Sequence, residues 1–282
     1  MRRLLCCLFA AALLCAQQAI EFTCPMDRDV RSAKPGKCPR CGMTLVANLP
    51  DPVEYPVELS VHPPPIPSAR PVTFEFRIAD PRTGAPVTHF EIVHEKLFHL
   101  FIVSQDLQYF AHLHPEFDGA AFRLNTTLPK PGTYRLLADF YPTGGTPQLV
   151  PKTITTAGYQ TPLEAGIPRI APDLSPQHGE NLEVQLKLDP PPPIAGKKTM
   201  LFVHLTPADG LEHYIGAWAH LLAVSDDLVD TIHGHPFVAD GGPDMQFNIF
   251  FPREAAYRVW FQFQRKGIVN TVAFTIPVTS LR

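Results

Sequence analysis

From about residue 55 onward the chain is a succession of short runs in which apolar and polar residues alternate. VTFEFRI (72–78), HLFIVS (99–104), AFRLNTTL (121–128) and TYRLLADF (133–140) come first. After a polar, proline-containing stretch (158–180) the pattern restarts with LEVQLKL (182–188), MLFVHL (200–205), HLLAVS (220–225), MQFNIFF (245–251), AYRVWFQFQ (256–264) and VNTVAFTIPV (269–278). A period of two puts successive side chains on opposite faces of a strand. Runs this short, bounded by turn residues, predict strands rather than helices. HLFIVS and HLLAVS are apolar on both faces, so the strands they predict are buried on both sides.

The restart is an internal repeat. HLFIVSQDLQYFAHLHP (99–115) aligns with HLLAVSDDLVDTIHGHP (220–236) at an offset of 121, and YRLLADF (134–140) with YRVWFQF (257–263) at an offset of 123. Two copies of an all-β unit of about 100 residues follow, each with six or seven short strands, which reads as a β-sandwich of immunoglobulin type. A closed barrel is the alternative. The expected organisation is a small cysteine-containing unit at 20–48, a first sandwich at 55–157, a linker at 158–180 and a second sandwich at 181–280.

Composition agrees with this and removes some functions. Of 282 residues, 45% are hydrophobic, enough for two medium cores, and 32 are proline, which disfavours long helices. The formal net charge is −3 with no block of like charge, which argues against nucleic acid or an acidic membrane surface as the main partner. There is no Gly-x-Ser-x-Gly elbow, phosphate loop or dinucleotide fingerprint.

The first 19 residues combine two arginines, an apolar run from Leu4 to Cys15 and small or polar residues after it. This predicts a secretory signal peptide cut near Ala19 and a periplasmic or extracellular location. The run is too short for a membrane span. Cys15 follows Leu14 rather than a small residue, so a lipoprotein cleavage box is the weaker alternative. Beyond the leader only Cys24, Cys38 and Cys41 remain, an odd number for an oxidising compartment where cysteines normally pair.

Those cysteines lie in FTCPMDRDVRSAKPGKCPRCGM (22–43). Thiolate sulfur is the preferred ligand of zinc, copper(I) and related ions. The two-residue spacing of Cys38 and Cys41 lets both sulfurs point at one ion, with Gly42 making the turn and Cys24 adding a third sulfur. Met26 and Met43 each lie two residues from a cysteine, and thioethers favour copper(I). A disulfide with one orphan thiol and a thioredoxin-like redox pair are the competing readings. The stretch resembles the short heavy-metal-binding domain found at the ends of copper-transporting P-type ATPases and of periplasmic adaptor subunits of copper/silver efflux pumps. The resemblance implies metal binding through Cys24, Cys38 and Cys41, with Met26 and Met43 as helpers. One position departs from that pattern: the family's histidine after Cys-Pro-Met is Asp27 here, so the fourth ligand has changed or the site is three-coordinate.

Each repeat also carries His-x12-His-x-His: His99, His112, His114 and His220, His233, His235. If HLFIVS and YFAHLH form an antiparallel hairpin turning at Asp106-Leu107, His99 sits opposite His114, and His112 shares their face. A hairpin turning at Asp227-Leu228 does the same in the second repeat. Three imidazoles at that spacing can converge on one ion; a one-residue slip would separate them. The plainer reading is that these are buried, neutral, hydrogen-bonded histidines. Asp139 and Gln262 occupy equivalent repeat positions and are candidates to orient a histidine. His89, His94 and His213 lie upstream and could extend a site, whereas His62, His178 and His204 look solitary. The repeats more loosely resemble immunoglobulin-like periplasmic domains of bacterial copper-resistance and copper-delivery proteins.

The sequence therefore predicts an exported, non-enzymatic binder of copper or zinc that sequesters, buffers or delivers its ion, with a membrane metal-efflux or copper-delivery protein as candidate partner. The alternatives are an adaptor module of an efflux system with structural histidines, and an enzyme with a three-histidine metal.

Overall fold

The computed structural model describes residues 22–27, 30–47, 53–161, 168 and 170–281. The leader expected at 1–19 lies outside the described residues, as does part of the linker. Among the described residues all regular structure is β-strand, and no helix is long and apolar enough to cross a membrane.

The N-terminal unit pairs β1 (Phe22–Thr23) with β2 (Arg31–Ser32). The first sandwich follows with β3 (Val57–His62), β4 (Pro71–Ile78), β5 (Phe98–Ser104), β6 (Phe110–Leu113), β7 (Glu116–Phe117), β8 (Phe122–Thr127), β9 (Thr133–Phe140) and β10 (Gln148–Thr155). Its sheets run β3-β4-β8-β7 and β10-β9-β5-β6, all antiparallel. This is the A-B-E-D and G-F-C order of immunoglobulin-like sandwiches, with one added strand beside C. The second sandwich contains β11 (Gln177–His178), β12 (Glu183–Asp189), β13 (Lys198–Thr206), β14 (Leu211–Glu212), β15 (His220–Ser225), β16 (Thr231–Gly234), β17 (Asp244–Phe250), β18 (Ala255–Arg265) and β19 (Ile268–Val278). One sheet is β11-β12-β13-β17. The other places β18 between β19 and β15, with β16 beyond β15 and β14 also on β18. Among the described residues the repeats thus hold eight and nine strands, more than the six or seven read from the pattern, because two-residue strands such as β7 and β14 are too short to show a period.

Each sandwich has its own core. Phe74, Phe76, Leu100, Ile102, Leu136 and Ala138 belong to the first, and Leu201, Val203, Leu221, Ala223, Val259 and Phe261 to the second. The alternate residues of the same strands form a third core: Phe101, Val103 and Leu137 pack with Leu222, Val224 and Trp260. Phe110 stacks on Trp260 at 5.2 Å between ring centroids. The β9-β5-β6 face of one repeat is therefore docked on the β18-β15-β16 face of the other. Every residue of β5 and of β15 is buried, because one face covers its own sandwich and the other covers the neighbour. This docking seam positions the histidines.

The cysteine unit is too small to bury a core alone. Cys24, Cys38, Cys41, Met43 and Leu45 pack with Val93 and Tyr141 of the first repeat, while Arg40 lies 4.7 Å over the Phe237 ring of the second. The knuckle sits where the two repeats meet.

Candidate metal centres

The knuckle is built around one tight turn. The Gly42 amide donates to the Cys38 carbonyl at 2.9 Å and the Cys38 amide to the Met43 carbonyl at 2.7 Å, which folds Cys38 and Cys41 toward each other. Gly42 has φ +76°, in the left-handed region where a Cβ costs roughly 1–2 kcal/mol. Cys24, Cys38 and Cys41 are free and buried. Their sulfurs and a carboxylate oxygen of Asp27 all lie within 4.8 Å of one another. The Cys24 and Cys41 sulfurs are 3.4 Å apart, too long for a disulfide, and Cys38 Sγ is 3.4 Å from Asp27 Oδ2. The residue that departs from the histidine pattern thus stands in the cluster, held by Arg40 at 3.3 Å. Met43 is buried among the cysteines, whereas Met26 is half-buried and lines the adjoining cavity.

Three thiols this close share their protons. Hydrogen bonds from Cys24 and Cys41 hold Cys38 down to about 2. Cys24 is pushed up to about 11, chiefly by its bond to Cys38, and Cys41 is pushed up first by its contact with Cys24. Burial raises the Asp27 carboxyl. A cation that recruits all three sulfurs must displace the protons they hold.

The histidine hairpins have the expected register. Leu100 pairs with Leu113 and Phe101 with His112; Leu221 pairs with Gly234 and Leu222 with His233. The grouping differs between the repeats. His99, His112 and His114 form one cluster. In the second repeat His220 and His235 cluster with His94 from the first, while His233 stands beside them with its ring centroid 4.7 Å from His235. The two clusters adjoin, with the His112 and His220 rings 5.4 Å apart. His213 packs on Trp218 and His89 on the Thr88 hydroxyl, both outside the clusters.

Four imidazoles are oriented by oxygen acceptors. His99 Nε2 donates to the Val93 carbonyl at 3.0 Å, and His220 Nε2 to the equivalent Tyr214 carbonyl at 2.9 Å. His112 Nδ1 donates to Gln262 Oε1 at 2.8 Å, and His233 Nδ1 to Asp139 Oδ2 at 2.5 Å. The equivalent pair Gln262 and Asp139 each serve the other repeat's histidine, a crossing that one repeat read by itself does not reveal. Such acceptors fix the tautomer and leave the opposite nitrogen as a lone pair, the arrangement usual around metal-bound histidines. The Nε2 atoms of His94, His114 and His233 are buried without a hydrogen-bond partner among the described residues.

Burial disfavours the charged form of six of these rings. It lowers His99 to about 4 and His94 and His114 to about 3, and pulls His112, His220 and His235 well below the ordinary 6.5. The unfolded chain takes up protons first, so ion-free stability is fully present above about pH 6.5 and is lost as pH falls toward 4 and 3. Calorimetric scans of ion-free protein should show the melting midpoint dropping between pH 7 and 4.5. An unchanged midpoint over that range contradicts the buried neutral cluster.

Comparison with known proteins bears on both parts of the chain. Residues 22–48 match the heavy metal binding domain, and residues 52–158 and 177–280 match a domain of unknown function, DUF8832. The chain belongs to the DUF8832 family. Its heavy-metal-binding segment precedes the DUF8832 region, which holds every clustered histidine. No curated protein matches the chain. Among solved structures, a two-domain fibronectin type III segment of chicken tenascin is 11% identical, with a TM-score of 0.25, and the match covers 79% of this chain and 99% of that one. A carbohydrate-binding module of the β-sandwich superfamily is 9% identical, with a TM-score of 0.25, covering 83% and 95%. At these scores the likeness adds nothing to the fold assignment, which rests on strand order. Metal binding by the chain rests on the heavy metal binding domain and on the cysteine and histidine clusters.

Proposed function

We propose that this DUF8832 protein is exported and that it captures a soft transition metal, copper, to sequester, buffer or deliver it outside the cytoplasm. The observation that carries the reading is the convergence of three free, buried cysteine sulfurs and the Asp27 carboxylate within 4.8 Å. Sulfur donors favour copper(I) over harder ions, and Met43 adds a thioether to the same small core. Zinc is the other ion that such donors accept. The leader motif supports export, and a membrane efflux or delivery protein would be the acceptor.

Delivery is supported by what adjoins the knuckle. A cavity of about 600 Å³ has Met26, Asp27 and Arg40 on its knuckle side and His233 and His235 on its second-repeat side. This cavity brings the knuckle's Met26 and Asp27 and the imidazoles of His233 and His235 onto one shared space. Elemental analysis of protein purified from fractionated native cells should find copper near stoichiometric and the protein in the exported fraction. A different metal, an ion-free protein or cytoplasmic retention overturns the reading.

A further inference from the structure

Both histidine clusters lie on the docking seam, and the acceptors described above decide where their lone pairs point. His99 spends its Nε2 hydrogen on the Val93 carbonyl, so Nδ1 carries a lone pair. His112 spends its Nδ1 hydrogen on Gln262 Oε1, whose amide nitrogen is turned to Thr271 at 3.0 Å, so Nε2 carries a lone pair. Those two nitrogens face each other at 2.9 Å. Two lone pairs at that distance repel unless a cation lies against both. His114 Nε2, buried and unpartnered, belongs to the same cluster.

The second cluster has one tautomer fixed in the same way, that of His220, and draws its members from both sides of the seam. His220 spends its Nε2 hydrogen on the Tyr214 carbonyl and turns a lone pair at Nδ1 toward His235 Nε2, 3.1 Å away. The third member, His94, comes from the other repeat. It is 4% exposed, its Nε2 has no partner, and its ring lies 3.7 Å from that of His235. In the second repeat the corresponding residue is Ile215, at nearly the same left-handed backbone (φ 49° against 47°). The imidazole donated across the seam therefore exists on one side only. His233, oriented by Asp139 and with a buried, unpartnered Nε2, stands beside this second cluster as a further donor.

We propose that the seam between the repeats is a paired metal site for two imidazole-ligated transition-metal ions, one on His99, His112 and His114 and the other on His94, His220 and His235. The donors are neutral nitrogens, so the site takes first-row divalent ions of the zinc and copper class without releasing as many protons as the thiols must. Because His94 crosses the seam, and because Asp139 and Gln262 orient histidines across it, loading the pair locks the repeats together. The proposal shares with the knuckle reading only the premise that this chain handles transition metals, and its test is separable from that of the knuckle.

Native mass spectrometry of the full chain with zinc(II) alone should count three ions, one in the knuckle and two in the seam. The triple variant Cys24→Ser, Cys38→Ser, Cys41→Ser should keep two. His94→Ala in that background should lose one ion and His114→Ala the other, and copper(II) loaded into the triple variant should give magnetically coupled electron resonance signals. One ion whose loss is the same in both histidine variants means a single shared site and overturns the pair. No ion in the triple variant overturns the seam site altogether, while a single ion in the unsubstituted chain that is lost in the triple variant leaves the knuckle reading standing. Circular dichroism checks the fold of each variant. If one fails to fold, anomalous diffraction from zinc-loaded, unsubstituted crystals decides, with two peaks at the seam supporting the pair and one or none overturning it.

Discussion

Cys38→Ser is expected to abolish tight copper(I) binding by the knuckle, lowering affinity by more than about 100-fold, since substitutions one shell further out already cost 10–100-fold at metal sites. Cys38 is one of three sulfurs that lie within 4.8 Å of one another and of an Asp27 oxygen, and its own sulfur is 3.4 Å from that carboxylate. A serine hydroxyl is a poor soft-metal ligand, and it leaves Cys24, Cys41 and a carboxylate to hold the ion. Competition against a colorimetric copper(I) chelator measures the change. The sandwiches should keep their melting midpoint, because their cores contain no knuckle residue. Unchanged copper affinity would show that the sulfurs do not act together, and collapse of both sandwiches would show that the knuckle is not a separate unit.

Phe101→Ala should open the seam while each repeat stays folded. Phe101 is 1% exposed and belongs to the core between the repeats rather than to that of its own sandwich. Its ring stacks on His112 at 4.3 Å and meets His233 edge-on at 4.8 Å. Removing a buried phenylalanine side chain costs about 3–5 kcal/mol, a large share of what a docking contact of a few apolar side chains provides. Water entering the gap would hydrate the imidazoles and remove the burial that lowers the His112 pKa. Denaturant melts followed by hydrogen exchange should then resolve two transitions, the first confined to β5, β6, β15 and β16. A single unchanged transition contradicts the docking seam.

Much of this was legible in the chain because it is local. Alternation with period two marks the strands, and the hairpins HLFIVS–YFAHLH and HLLAVS–TIHGH have the register their turns demand, since a one-residue slip would invert every apolar position. The cysteine spacing marked the knuckle for the same reason: ligands with two residues between them share a turn. The apolar character of both faces of HLFIVS and HLLAVS carried a further signal, since a strand buried on its second face needs a cover, and in a two-sandwich chain the other sandwich can supply it.

The amino-acid sequence alone thus determined the all-β repeats, the register of the two histidine hairpins, and a cluster of three cysteines. Only the tertiary structure decided that the repeats dock face to face, that His94 joins His220 and His235, that Asp139 and Gln262 cross the seam to orient His233 and His112, and that Asp27 enters the sulfur cluster. The division has a physical cause. Strand periodicity and turn chemistry act between neighbours in the chain, whereas docking depends on the fit of two apolar faces whose residues, such as Phe101 and Leu222, lie far apart in the chain, and no periodicity within either repeat encodes that fit.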